Sequence, residues 1–289
     1  MTSLVEMLFR VLKLCIALLF VVRKSAQTAL FRLTGQPIPS TFVILMYHSV
    51  KQAERERFVR QMDQLVKLAH LVQADCSEEK LEQDRHYVAV TFDDGYQSIL
   101  ENAVPVLLEK GIPAAVFVPT KYLGNGPDWI TDEKCRDITE RLLSVNDLQY
   151  LRKNGVLIGS HSVTHRPLAT LSQAEALTEL TESRRVLERI LGEKVVLFAL
   201  PYGSNSPDVL RLSREAGYDR VFLCGPRCAR SNIEGHVAGR IEVSPGDWPL
   251  EYRLKIRGAY QWLPRAIAAK RRTRHLLHKF PFTAQRTQE

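Results

Sequence analysis

The chain reads as an α/β protein, a distorted (β/α)7-type barrel in a single domain, preceded by an N-terminal membrane-associating helix. Three observations predict this. Seven apolar, β-branched runs, at about residues 42–48, 88–93, 114–119, 156–160, 195–200, 220–224 and 238–243, alternate with helical patterns. Strands buried on both faces of a parallel sheet read in this continuous way. Gly111, Gly155, Gly192 and Gly217 fall just past four of the helical patterns, where a left-handed C-cap is wanted. Finally, 289 residues with 45% hydrophobic content and no internal repeat suit one large core.

Taken in order, residues 1–35 form the first unit. Leu14 to Val22 is an unbroken apolar run of nine residues, flanked by Arg10, Lys13, Arg23 and Lys24. It is too short to span a bilayer, which takes about 20 apolar residues. Extended back to Leu4 it admits Glu6, Arg10 and Lys13, which fall on one helical face, so an interfacial amphipathic helix is expected rather than a clean transmembrane anchor. A cleaved signal peptide is the rival, but no small-x-small cleavage site follows at once. Leu14 before Cys15 argues against a lipoprotein signal.

The barrel is expected over residues 36–262, with helices at about 54–71, 97–110, 145–154, 172–191, 207–217 and 250–261. Its first strand ends in His48. Its second, Tyr87 to Phe92, ends in Asp93-Asp94-Gly95. The carboxyl ends of parallel strands open into the ligand crevice, so acids placed there suit ligands or bases. Standing alone, the pair could equally cap a helix starting near Gln97. The strand at 156–160 leads into Ser160-His161-Ser162-Val163-Thr164-His165, and the two histidines can face one point once the chain turns. Two histidines and one aspartate leave a zinc ion with an open position, the arrangement of a catalytic site. The turn-rich Gly124–Trp129 stretch is expected to be a substrate-facing loop, with Trp129 either stacking a sugar or pinning the loop to the barrel. Trp248, after the last strand, is expected either to wall the same groove or simply to pack.

Thr91-Phe92-Asp93-Asp94-Gly95, Ser160 to His165, and Leu200-Pro201-Tyr202-Gly203 together resemble the polysaccharide deacetylase family, the NodB-like carbohydrate esterases, over roughly residues 41–248. The resemblance implies a metal-dependent hydrolase that removes N-acetyl groups from a polysaccharide or lipid-linked glycan in cell-envelope or exopolysaccharide metabolism. Carried over by position, it implies Asp93 as general base and Asp94, His161 and His165 as ligands of a divalent metal, with zinc first. It also implies that Pro201 lines the acyl site and that the Tyr202 backbone N–H helps hold the oxyanion.

Two departures stand out. Ala199 occupies the place of the arginine that orients the base in the family, which leaves Asp93 without an evident partner. The late Leu-x-His motif carrying the general acid is not evident; His275-Leu276-Leu277-His278 has the letters but lies in a basic tail. The first strand, ending in His48, resembles the circularly permuted branch, where the strand bearing the catalytic histidine comes first. His48 is therefore the general-acid candidate, with simple packing at the barrel mouth as its plainer role. Removal of another acyl group, such as formyl, stays open. So does a metal-retaining glycan-binding barrel without turnover, which Ala199 favours and the presence of Asp93 and His48 opposes.

Charge separates sharply along the chain. Residues 253–289 contain ten Lys or Arg against one acid, while the whole chain is only +8. Such a tail, counted here as a unit over 263–289, suits anionic lipid headgroups, and no nucleic-acid recognition motif accompanies it. The expected partners are thus an N-acetylated glycan and an anionic membrane surface, with no nucleic acid, at a membrane-associated place in a bacterial cell envelope. Five cysteines cannot all pair internally; Cys224 and Cys228 could form a disulfide or remain thiols.

Overall fold

The computed structural model describes residues 4–77, 81–225 and 236–263. Among these residues are eight parallel strands: β1 (Thr41–Tyr47), β2 (His70–Leu71), β3 (His86–Phe92), β4 (Ala114–Val118), β5 (Leu157–Ser160), β6 (Leu197–Ala199), β7 (Arg220–Cys224) and β8 (Val237–Glu242). Seven of them close a ring in the order β1-β8-β7-β6-β5-β4-β3, sealed by pairing of β1 with β3. The first strand in sequence therefore closes the barrel between the last strand and the one that ends in Asp93. Each expected strand is found within a few residues of its place. β2 was not foreseen, because two residues carry no periodicity. It covers Tyr87 and Val88 on the edge of β3, below the point where β4 begins to pair at Val90.

Helices α1 (Leu4–Leu33), α2 (Arg55–Leu68), α3 (Gln97–Asn102), α4 (Val104–Glu109), α5 (Val145–Lys153), α6 (Gln173–Leu191), α7 (Pro207–Glu215) and α8 (Pro249–Ile256) surround the ring. The single helix expected over 97–110 is broken at Ala103, because Pro105 lacks an N–H and can stand only in the first turn of a new helix. The four expected C-cap glycines all take positive φ, from 62° at Gly111 to 86° at Gly217.

Alternation along each strand makes two apolar layers. Outward residues such as Leu45, Tyr47, Val90 and Phe92 pack against the helices. Inward residues, among them Phe42, Ile44, Ala89, Ala115, Phe117, Ala199, Phe222 and Ala238, fill the ring. The interior is tight: a Cβ at Gly159 would lie 2.5 Å from the Phe117 ring and 3.0 Å from the Leu197 carbonyl. Large inward rings such as Phe117 thus need small residues beside them, because the inside of a seven-strand ring is narrow.

α1 is one continuous helix of 30 residues laid against α8. Ala17 packs with Leu254, Ala259 and Tyr260, Arg10 donates to the Glu251 carboxylate and the Gly246 carbonyl, and Arg32 pairs with Asp84. No described helix is long and apolar enough to cross a membrane. The basic tail, the His275–His278 stretch and Cys228 lie outside the described residues.

Candidate metal centre

The site is assembled at the carboxyl ends of the strands. Tyr47 and Phe92 are register partners in β1 and β3, and their rings stack outside the barrel with centroids 5.5 Å apart. The Asp93 N–H donates to the Tyr47 carbonyl at 2.9 Å. The next residues, His48 and Asp93, are therefore neighbours at the mouth, and Asp93 senses the charge of His48.

Asp93 is buried, and its partner is Arg240 on β8. Nη1 donates to Oδ1 and Nη2 to Oδ2, each at 2.6 Å. The guanidinium lies between the rings of Phe117 and Phe222, 5.3 and 5.7 Å from their centroids. Burial alone would push the Asp93 carboxyl up, but the charges of Arg240 and His161 and the Arg240 hydrogen bonds hold it below the ordinary carboxylate range. Asp93 is thus an ionised, fixed carboxylate. The missing arginine at Ala199 is made good from another strand. Ala199 is level with Phe222, and Phe222 with Ala238, so Arg240 lies two residues farther toward the mouth on the same inward face. The small Ala199 and Ala238 leave the space beneath it. An arginine at an inward register position of a buried strand was the sequence signal for this role.

Asp94, His161 and His165 form a compact trio, with one ligand atom of each within 4.8 Å of the others. Asp94 takes φ 66°, and Gly95 follows at φ 64°, where a Cβ would meet Val118 Cγ1 at 2.4 Å. The TFDDG turn needs that glycine for both reasons. Asp94 Oδ1 lies 3.4 Å from His161 Nε2 and 3.1 Å from His165 Nε2. Against the cost of burial, these two imidazoles hold the Asp94 carboxyl well below its usual value. Burial likewise drives His165 toward its neutral form, whereas the Asp93 and Asp94 charges overcome burial at His161 and raise it.

The histidine loop is held on every side. His161 Nδ1–H donates to the Ala199 carbonyl at 2.7 Å, so Nε2 is the nitrogen turned toward Asp94. Ser162 and His165 both take positive φ, and the His165 N–H donates to Ser162 Oγ at 3.0 Å. Of the five non-glycine residues with positive φ among the described residues, Asp94, Ser162, His165 and Tyr202 are four. Such strain persists only where surrounding contacts enforce it, and here it is concentrated at one site.

Glu179, on α6, was not foreseen. Its Oε2 accepts from the Val163 and Thr164 N–H groups at 2.8 and 2.9 Å, and Oε1 accepts from the Thr164 hydroxyl. The signal was an acid on the same buried face as Ala176, Leu180, Ser183 and Leu187. Glu179→Gln removes one acceptor from the loop that aims both imidazoles. Metal affinity should fall about 10- to 100-fold, the usual effect of losing a group that orients metal ligands, with little change in far-UV circular dichroism; titration with zinc measures it.

Trp129 and Tyr202 stand on either side of His165, with ring centroids 4.5 and 4.7 Å from the imidazole. Trp129 also packs on Tyr122 at 4.8 Å, so it both pins its loop and walls the site. Pro201 is buried, and the exposed Tyr202 that follows takes φ 56°, ψ 10° in the Pro201–Gly203 turn. Trp248 is placed elsewhere. Its ring lies under the Arg10 guanidinium, 4.3 Å away, and it lines a cavity of about 400 Å³ with Arg57, Arg60 and Gln61.

The donor set fits a divalent cation. Asp94 Oδ1 is buried with no hydrogen-bond donor. Three lone pairs converging in a buried space need a proton or a cation between them. One carboxylate oxygen and two imidazole nitrogens are ligands suited to zinc, with a position left over.

The sequence profile of the polysaccharide deacetylase family matches residues 80–221. YxkH of Bacillus subtilis (strain 168), provisionally named a polysaccharide deacetylase, is 25% identical over 219 residues, covering 72% of this chain and 73% of its own. The poly-beta-1,6-N-acetyl-D-glucosamine N-deacetylase of Staphylococcus aureus (strain N315) is 26% identical over 177 residues, 58% of this chain and 57% of that enzyme. The match thus spans little more than half of the staphylococcal protein. Among solved structures, IcaB from Ammonifex degensii superposes with a TM-score of 0.63 at 23% identity, over 75% of this chain and 99% of that one. The Streptococcus pyogenes deacetylase PplD, in complex with acetate, gives 0.61 at 19% identity, over 76% and 98%. Motifs, ring topology and profile agree, and together they support placing this chain in the polysaccharide deacetylase family.

Proposed function

We propose that the chain is a divalent-metal-dependent hydrolase that removes N-acetyl groups from a glycan. The observation that carries this reading is a buried, ionised Asp93 clamped by Arg240 next to the Asp94–His161–His165 trio. Merely holding a metal requires the trio alone, and an arginine fixing a separate carboxylate is a device for catalysis.

Asp94, His161 and His165 would hold the ion, zinc being the first candidate. Bound there, it supplies Lewis acidity, which makes water a better nucleophile and polarises the acetyl carbonyl. Asp93 Oδ2, 4.0 Å from His161 Nε2, keeps a lone pair beyond its Arg240 bond and accepts the proton of the attacking water. Asp94 cannot take that part, because its oxygen faces two imidazoles. The Tyr202 N–H, presented by the left-handed turn after Pro201, stabilises negative charge on the acetyl oxygen. His48, beside Asp93 on the adjacent strand, donates a proton to the leaving amine. Trp129 and the exposed Tyr202 ring frame the entrance, where flat aromatic faces suit the apolar faces of a sugar.

The test is acetate release from N-acetylated oligosaccharides by zinc-loaded protein. Poly-β-1,6-linked N-acetylglucosamine comes first, because the staphylococcal relative is named for it. Asp93→Asn should lower turnover by at least about 10²-fold while zinc binding persists, and His48→Gln should lower it by about 10²-fold. Release of formate in place of acetate would change the acyl group assigned. Zinc binding with silence across a broad acyl-sugar panel would replace catalysis with binding.

A further inference from the structure

We propose that the outward face of α1 docks on an anionic lipid bilayer, seating the barrel with its catalytic mouth opening along the membrane plane. A helix packed on a globular domain ordinarily turns its apolar stripe to the core and its charges to water. α1 is apolar on both sides over its first five turns, with Leu14, Ala17, Phe20 and Val21 toward the barrel and a second stripe away from it. Leu4, Leu8, Val11, Cys15, Leu18 and Val22 form one stripe at helical spacing, and all six face away from the protein, Leu4 being 72% and Val22 65% exposed. The basic side chain of Arg10 instead turns inward, to Glu251 and Gly246. Val5, Leu12 and Leu19 widen the stripe, and they too are exposed, Leu19 to 70%. Exposed apolar surface of this extent in a soluble domain marks a place of contact.

The occupant is argued from width and charge. The seam of a helical pair is two positions wide and edged with charged residues, whereas here the edges are themselves apolar. Arg23 is exposed at the edge of the stripe. Arg253 and Arg257, on and just past α8, which packs on α1, are exposed as well. A second copy would bring these like charges together, while an anionic bilayer is attracted by them.

Attachment is lateral. α1 cannot cross a membrane on its own, and it is pinned along its length at Arg10, Ala17 and Arg32. Arg10 lies by Gly246 and Trp248, beyond the carboxyl end of β8, whereas Arg32 meets Asp84, just before β3. The helix therefore runs along the height of the barrel, and the mouth holding Asp93 faces along the bilayer, where a glycan anchored at or near the surface would reach it.

The experiment floats the purified full chain with vesicles of phosphatidylcholine alone and of phosphatidylcholine with phosphatidylglycerol. The wild type should float with the anionic vesicles, and raised salt should weaken but not abolish this. Leu8→Glu/Leu19→Glu should reduce the bound fraction about tenfold, with thermal unfolding and zinc binding unchanged, so that misfolding is separated from lost docking. Wild type left in the soluble fraction with both vesicle types overturns the proposal, as does a double variant that floats equally well. A wild-type dimer that the double variant makes monomeric also overturns it, by assigning the face to a second copy. None of these readouts depends on deacetylation.

Discussion

Arg240→Met should lower kcat by about 10²- to 10⁴-fold, the range attributed to a correctly held general base. Arg240 is fully buried and supplies both hydrogen bonds to the Asp93 carboxylate. Removing one partner of a buried ion pair leaves an uncompensated charge, so the variant should also lose about 3–5 kcal/mol of stability, read by denaturant unfolding. The two effects can be separated. In Asp93→Asn/Arg240→Met the stranded charge is gone, and much of the stability should return while activity stays low. Recovery of activity in the double variant would sink the assignment of Asp93.

The pH dependence has a definite sign. Asp93 is held below its ordinary value when folded. The pair therefore contributes its stability above the unfolded carboxylate value of about 3.9, and loses it as pH falls through the folded value. Without Arg240, burial acts unopposed by its nearest charge, Asp93 protonates at higher pH, and the acidic limb of kcat/KM should move upward. An unmoved limb would mean that another group sets it.

Stripping divalent metal with a chelator should lower turnover by on the order of 10³-fold or more, because Lewis-acid assistance is worth several kcal/mol. Zinc should restore it. His161→Ala should not respond to zinc, since its Nε2 is one of three donors and its Nδ1–H anchors the loop to Ala199. Thermal unfolding gives an independent readout. Zinc at 100 times its dissociation constant should stabilise the wild type by about 2.7 kcal/mol and leave Asp94→Ala unmoved. Full activity in chelator, with no bound metal by elemental analysis, would remove the metal from the mechanism.

Much of this site was legible because it is written in short segments. TFDDG and SHSVTH each sit at the end of a strand, where the switch from apolar run to polar turn is local. Strand ends of one parallel ring meet at one rim, so residue type and position sufficed for Asp93, Asp94, His161 and His165. Trp129 was legible only as a choice between stacking a sugar and packing, and its tilted contacts with Tyr122 and His165 show packing beside the trio. Trp248 offered the same choice and lies under Arg10, since the turn after β8 is captured by α1. The α3–α4 break could have been read from Pro105, whose chemistry the longer helical period concealed.

By itself the sequence determined the seven strands, the C-cap glycines and the turn chemistry of the two motifs that carry Asp94, His161 and His165, each set by interactions among residues near in the chain. Only the tertiary structure decided that Arg240 clamps Asp93 across 147 residues, that Glu179 holds the histidine loop, and that α1 turns Arg10 inward and most of its leucines outward. Each of these depends on which strand lies level with which once the ring closes, or on which face of a helix meets the barrel. Those relations arise from closure and packing of the whole chain, and no window of periodicity contains them.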